Sequence, residues 1–182
     1  VAFGGGERWA KPPSKDSRMS TRRIAKSPAD LPKPEEVLQK SGLEFMQAML
    51  AGEFAGPPIS DVLNYTLAEV SQGHCVFEGT PVFAYTNPMG TVHGGWYGTL
   101  LDSCMACAVM TCVPQGFVYT TLEYKVNIIR SIKLGTRIQA IGTSQHAGRS
   151  TGVAVGEIRG ADDGRLYATG STTCIIMPAK QG

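Results

Sequence analysis

Four signatures of common enzyme chemistry are missing from this 182-residue chain. It has no G-x-S-x-G elbow, no phosphate-binding loop, no dinucleotide glycine fingerprint and no histidine pair at metal-ligand spacing. Serine hydrolysis, phosphate hydrolysis and hydride transfer therefore lose their usual sequence supports. Cysteine is sparse: Cys75, Cys104, Cys107, Cys112 and Cys174 make an odd set without zinc-like spacing. Cys104-Met105-Ala106-Cys107 has the C-x-x-C spacing, but it stands in an apolar run with no second pair and no histidine beside it. No metal is expected. Free cysteines packing as small hydrophobes fit a reducing compartment, and a cytoplasmic location is expected. The first thirty residues lack the apolar core of a secretory signal. Being rich in Gly, Arg, Lys and Ser, they fit an organelle transit peptide, or extra sequence ahead of a native start at Met19.

Long hydrophobic runs are equally scarce. The one candidate, Trp96–Val113, is borderline for a membrane span; it carries Asp102 near its middle, Gly98 and Thr99 dilute it, and no close Lys or Arg flanks it. A buried core helix is expected there. Positive charge is missing from the body of the chain: residues 1–34 hold eight Lys/Arg against three acids, and residues 35–182 hold nine against twelve. A body of net −3 lacks the field that phosphate binding needs, so no nucleic-acid partner is expected.

What is present divides into three stretches. Residues 1–34 read as a basic, disordered arm ending in Pro28, Pro32 and Pro34. Residues 35–58 read as one or two short amphipathic helices, broken at Ser41-Gly42 and ended by Gly56-Pro57-Pro58. Residues 59–182 read as the main domain. Alternation from Val62 and again from His74 gives two strands around a turn at Ser71-Gln72-Gly73, followed by the long helix. Val118–Ile132, Thr136–Ser144, Ser150–Arg159 and Arg165–Met177 give four more strands at hairpin spacing. The plan is α+β, an antiparallel sheet whose concave side is filled by the helix.

The chemistry concentrates in Asn87-Pro88-Met89-Gly90-Thr91-Val92-His93-Gly94-Gly95 and in Asp102. A helix start presents unpaired N–H groups and partial positive charge, and Gly94-Gly95 would leave them open to a carbonyl oxygen or developing oxyanion. A plain tight turn is the competing reading of these glycines. An ionised carboxylate in an apolar helix is costly unless something pairs with it or uses it. Asp102 lies seven residues past Gly95, about 10 Å along the axis. That is too far for the two to act on one carbonyl within one chain. Two copies with antiparallel helices would bring one helix start to the other's Asp102, so a homodimer with shared sites is expected. His93 fits either a donor to a ligand or a brace for the loop, and Asn87 either a water-orienting group or a turn former.

Asn87-x-x-Gly90-x-x-His93-Gly94-Gly95 followed by Asp102 resembles the signature of hotdog-fold acyl-CoA thioesterases of the phenylacetate-pathway (PaaI-like) group. Thr120 to Arg130, then Leu134-Gly135, resembles a strand of the same family, with Ser131 in place of its usual Pro and Ile128-Ile129 in place of an aromatic-Leu pair. The resemblance covers roughly residues 60–178. It implies a hotdog fold, an antiparallel sheet wrapped around one long central helix, and hydrolysis of an acyl-CoA with coenzyme A as part of the substrate and no cofactor. It implies Asp102 as nucleophile or general base, and Gly95 with Gly94 as carbonyl donors. Asn87 would place the water or the reacting group, His93 would support the loop and thioester, and Thr121 would bond the water or carboxylate. Met89 and Trp96 would shape the acyl site, and Arg130 would meet coenzyme A phosphates. It further implies a homodimer, commonly paired again into a tetramer. The alternatives are a hotdog dehydratase or hydratase on acyl-ACP or enoyl-CoA, and a non-catalytic acyl-CoA-binding dimer.

Overall fold

Proline and glycine cut the first third of the chain into short helices. The computed structural model describes residues 23–179, so most of the expected basic arm lies outside the described residues. Helix α1 (Pro34–Leu38) opens on a proline, whose fixed φ suits a first helical position. Helix α2 (Gly42–Ala51) begins at Ser41, whose Oγ accepts from the Glu44 N–H while Glu44 accepts from the Ser41 N–H. It ends at Gly52, in the left-handed region at φ 80°. The strand expected from Val62 starts later. Pro58 nucleates another short helix, α3 (Pro58–Val62), and Asn64 at φ 51° turns the chain into the sheet.

The end of the arm also differs from expectation. The last part of the arm is seated, because Ala25 donates to the Gly56 carbonyl at 3.0 Å and Gly56 donates to Arg23 at 2.8 Å. Ala25 is buried by this pairing. The helical segment 35–58 packs on the main domain: Met46 of α2 belongs to the same core as the long helix.

The remaining elements are β1 (Tyr65–Ser71), β2 (His74–Gly79), α4 (Gly94–Met110), β3 (Phe117–Ile128), β4 (Ile138–Ala147), β5 (Thr151–Gly160) and β6 (Leu166–Pro178). The six strands form one antiparallel sheet in the order β1-β2-β4-β5-β6-β3. Hairpin spacing misleads at one place. The turn near Lys133-Leu134-Gly135 does not pair β3 with β4; β3 crosses to the far edge and pairs with β6.

Helix α4 lies against β2, β3, β4, β5 and β6. Its Leu100, Leu101, Cys104, Met105, Ala108 and Val109 are fully buried, as a helix apolar nearly all round must be. Close approach depends on missing side chains. A Cβ at Gly142 of β4 would strike the Cys104 carbonyl, and one at Gly156 of β5 would lie 2.7 Å from Met105 Cγ. The sheet's glycines thus set the depth at which α4 sits, and with it the position of Asp102.

Candidate active site

The loop into α4 is held by its own first residue. Asn87 Oδ1 accepts from the Met89 N–H at 3.0 Å and the Thr91 N–H at 3.3 Å, and its Nδ2 donates to Thr91 Oγ1 at 2.8 Å. Such side-chain turns are what Asn supplies. Gly90 allows the tight reversal with φ 74°. Met89 therefore projects from the loop tip, 84% exposed. Beyond the tip, the His93 N–H returns to the Tyr85 carbonyl at 2.8 Å, which fixes where the helix begins.

His93 is the N-cap residue of α4. Its Nδ1 accepts from the Gly95 N–H at 2.9 Å. One ring nitrogen of a neutral imidazole accepts and the other carries the proton, so this bond places the proton on Nε2. The Gly95 amide, expected to stand open, is occupied by the chain's own histidine. Gly94 is exposed, and its N–H has no partner among the described residues.

Two aromatic residues next to these glycines do structural work. Trp96 is buried and donates from Nε1 to the Leu63 carbonyl at 3.0 Å. Tyr97 accepts from the Ile132 N–H at 2.9 Å and donates to the Arg130 carbonyl at 3.4 Å. Together they tie the helix start to α3 and to the segment after β3. Arg130 itself is exposed, and its Nη1 donates to the Leu166 carbonyl at 2.8 Å.

Asp102 is half-buried, less enclosed than its apolar context suggests. Thr121 Oγ1 of β3 donates to Asp102 Oδ1 at 3.0 Å, leaving Oδ2 without a side-chain partner among the described residues. The neighbouring Ser103 hydroxyl lies 3.1 Å from the Tyr65 hydroxyl. Gly94, Gly98 and Asp102 stand four residues apart and so share one helix face. Facing them on β3 are Ile128 beside Gly94, Tyr124 over Gly98 and Thr121 at Asp102.

This alignment depends on a β-bulge. The pairing of β3 with β6 shifts register between Thr121 and Glu123, so Leu122 is an extra residue. Before it the odd-numbered Phe117, Tyr119 and Thr121 face inward; after it the even-numbered Tyr124, Val126 and Ile128 do. Strict alternation could bring Thr121 or Tyr124 to the helix, not both. The bulge and Tyr124 were missed in the sequence, where the only trace is the absence of clean alternation across β3.

Among the described residues no cluster of three His, Cys, Asp or Glu side chains could hold a metal ion, and no helix is long and apolar enough to cross a membrane.

The sequence profile of the Thioesterase superfamily matches residues 89–167. Mouse acyl-coenzyme A thioesterase 13 is 28% identical over 89 residues, 49% of this chain and 63% of the relative. The chain spans about two thirds of the length of the curated relatives it matches, 67% and 63%. A phenylacetic acid degradation-related protein of Ralstonia eutropha JMP134 superposes with a TM-score of 0.66 at 28% identity, over 72% of this chain and 98% of that one. A hypothetical thioesterase protein of Streptococcus pneumoniae TIGR4, solved with coenzyme A, superposes with a TM-score of 0.57 at 26% identity, over 65% and 89%. The profile runs from the site loop through α4 into the sheet, and the two solved structures share the fold over 72% and 65% of this chain. Over residues 89–167 the chain is similar to the Thioesterase superfamily, and its fold, an antiparallel sheet around one long helix, is that of the hotdog thioesterases, a phenylacetic acid degradation-related protein among them.

Proposed function

We propose that this chain hydrolyses an acyl-CoA to the free acid and coenzyme A, with Asp102 as the reacting carboxylate. The observation that carries this is the Thr121–Asp102 hydrogen bond on the glycine face of α4. Thr121 occupies Oδ1, so Oδ2 attacks the thioester carbon or takes a proton from the attacking water. The carbonyl oxygen meets the start of a helix, where Gly94 N–H and His93 Nε2–H are the available donors. It reaches Gly95 N–H only by displacing His93. Asn87 then acts by shaping the loop. The Streptococcus relative solved with coenzyme A supports coenzyme A as the thiol half of the substrate. These side chains carry every step, and the proposal includes no metal and no cofactor.

One chain holds both halves of this site about 10 Å apart. The proposal therefore includes a homodimer in which one copy's helix start faces the other's Asp102. Strand β3 supports it: it is a sheet edge of 12 residues, and Val118 and Leu122 along it are exposed. A long apolar edge with unpaired backbone groups is normally covered. Self-pairing through a two-fold axis would cover it and leave the dimer free to pair again. A cytoplasmic setting belongs to the same proposal, supported by five cysteines that are all free thiols.

Thiol release measured across aryl, short, medium and long acyl-CoAs tests the reaction. Turnover is expected for the wild type, and its loss for a folded Asp102→Asn protein. Hydration of an enoyl-CoA without thiol release would replace the reading, and saturable binding without turnover would reduce it to a binding protein.

A further inference from the structure

The glycine face of α4 lies against β3, with Ile128 beside Gly94 and Tyr124 over Gly98, and it is the path open to an acyl group. Asp102 stands one turn beyond Gly98 on this face, about 5.4 Å per turn. Toward the C-terminus of α4 the path is closed: Ala106 is buried, and Cys107 and Tyr119 pack against the core there. An acyl group whose carbonyl carbon sits at Asp102 must therefore extend over Gly98. That space is already bounded. A Cβ at Gly98 would lie 3.3 Å from Tyr124 Oη and 3.4 Å from Cε2, so the phenol ring stands directly over the glycine. The ring is 46% exposed, and its hydroxyl has no hydrogen-bond partner among the described residues. A buried phenol generally finds a partner. This one is held neither by a hydrogen bond nor by full burial, only by its position after the bulge.

The geometry points to Tyr124 as a specificity-determining residue: its ring ends the acyl path one helical turn from Asp102 and restricts the substrate to short acyl-CoAs. This rests on the thioesterase reading above. Tyr124 touches neither the attacking oxygen nor the carbonyl donors, so its effect is on which acyl group fits. A pocket that must make room for one more methylene discriminates by roughly tenfold or more.

The test is kcat/KM for the wild type and for Tyr124→Ala, Tyr124→Phe and Tyr124→Trp over saturated acyl-CoAs from acetyl to palmitoyl, with melting curves and solution mass to establish folding. The wild type is expected to favour the short end. Tyr124→Ala should raise the long-to-short ratio roughly tenfold or more. Tyr124→Phe should keep the wild-type order, because the ring is the wall, and Tyr124→Trp should lower the ratio further. Because Trp enlarges a partly exposed side chain, it gives a reading even if the Ala protein fails to fold. A wild type that favours long chains, or a folded Ala or Trp protein with the wild-type order, overturns the role of Tyr124 and leaves the thioesterase reading standing. Absence of wild-type turnover on every acyl-CoA overturns both.

Discussion

Asp102 is tolerable in an apolar helix because it stands at the open edge of the core and has one designated donor. Replacing it removes the only carboxylate on the glycine face of α4. Asp102→Asn is expected to keep the melting temperature and to lower kcat roughly 10²–10⁴-fold, the range of a lost general base. Single turnover in ¹⁸O-labelled water separates the two routes: label in the Asp102 carboxylate marks attack by Oδ2, and label in the released acid alone marks activated water. Thr121→Val removes a hydrogen bond to a charged group, worth about 1.5–3 kcal/mol. Thr121→Ser should restore most of the lost kcat while Thr121→Val does not. A structural role for the methyl group would give the opposite order. His93 completes the set: because its Nδ1 caps Gly95, His93→Ala frees that amide while removing Nε2–H, so kcat and helix stability report separate roles.

At the level of elements, the seat of α4 decides the site. Met105 and Leu101 press against the sheet where Gly156 and Gly170 carry no side chain. Gly142→Ala would force a methyl into the Cys104 carbonyl, backbone against backbone, with no flexible atom to yield. It is expected to lower the denaturation midpoint more than Leu101→Ala, whose cost of about 2–5 kcal/mol is that of an ordinary buried cavity. Chemical denaturation of both variants decides it. The bulge at Leu122 is the second device. Deleting that residue should remove the bulge and leave Thr121 and Tyr124 two positions apart, so that both still face α4 on a regular β3.

For the whole molecule, the unpaired edge and the buried thiols give two expectations. Leu122→Asp places a charge on the exposed edge of β3. Sedimentation should show a shift toward monomer, and turnover should fall with it if sites are shared. Cys75, Cys104 and Cys107 are held in the core, where burial pushes their thiols up, Cys107 to about 12 with the nearby Asp102 charge as the second cause. The folded state thus keeps protons that the unfolded chain releases near the ordinary thiol value of 9.0. Stability from this source is complete below pH 9 and is lost as pH rises toward 12. Melting temperatures taken between pH 7 and pH 11 should fall only above that lower value.

Local order decided a good deal of this protein. The capping pair Ser41–Glu44, the glycine turn at Gly73 and the apolar stretch behind Gly94-Gly95 each specify their element through contacts a few residues long. Asp102, His93 and the glycines could be singled out because a charge in an apolar helix and bare backbone at its start are anomalies visible in one dimension. The partners of those residues were decided only in three dimensions. Thr121 reaches Asp102 across 19 positions because a bulge rephases β3, and β3 lies beside β6 and not β4 because the chain crosses the sheet. Gly95 meets its own His93 because the loop geometry aims the ring back at the helix. Pairing across a sheet depends on which strand is nearest in space, and no period in the sequence encodes that.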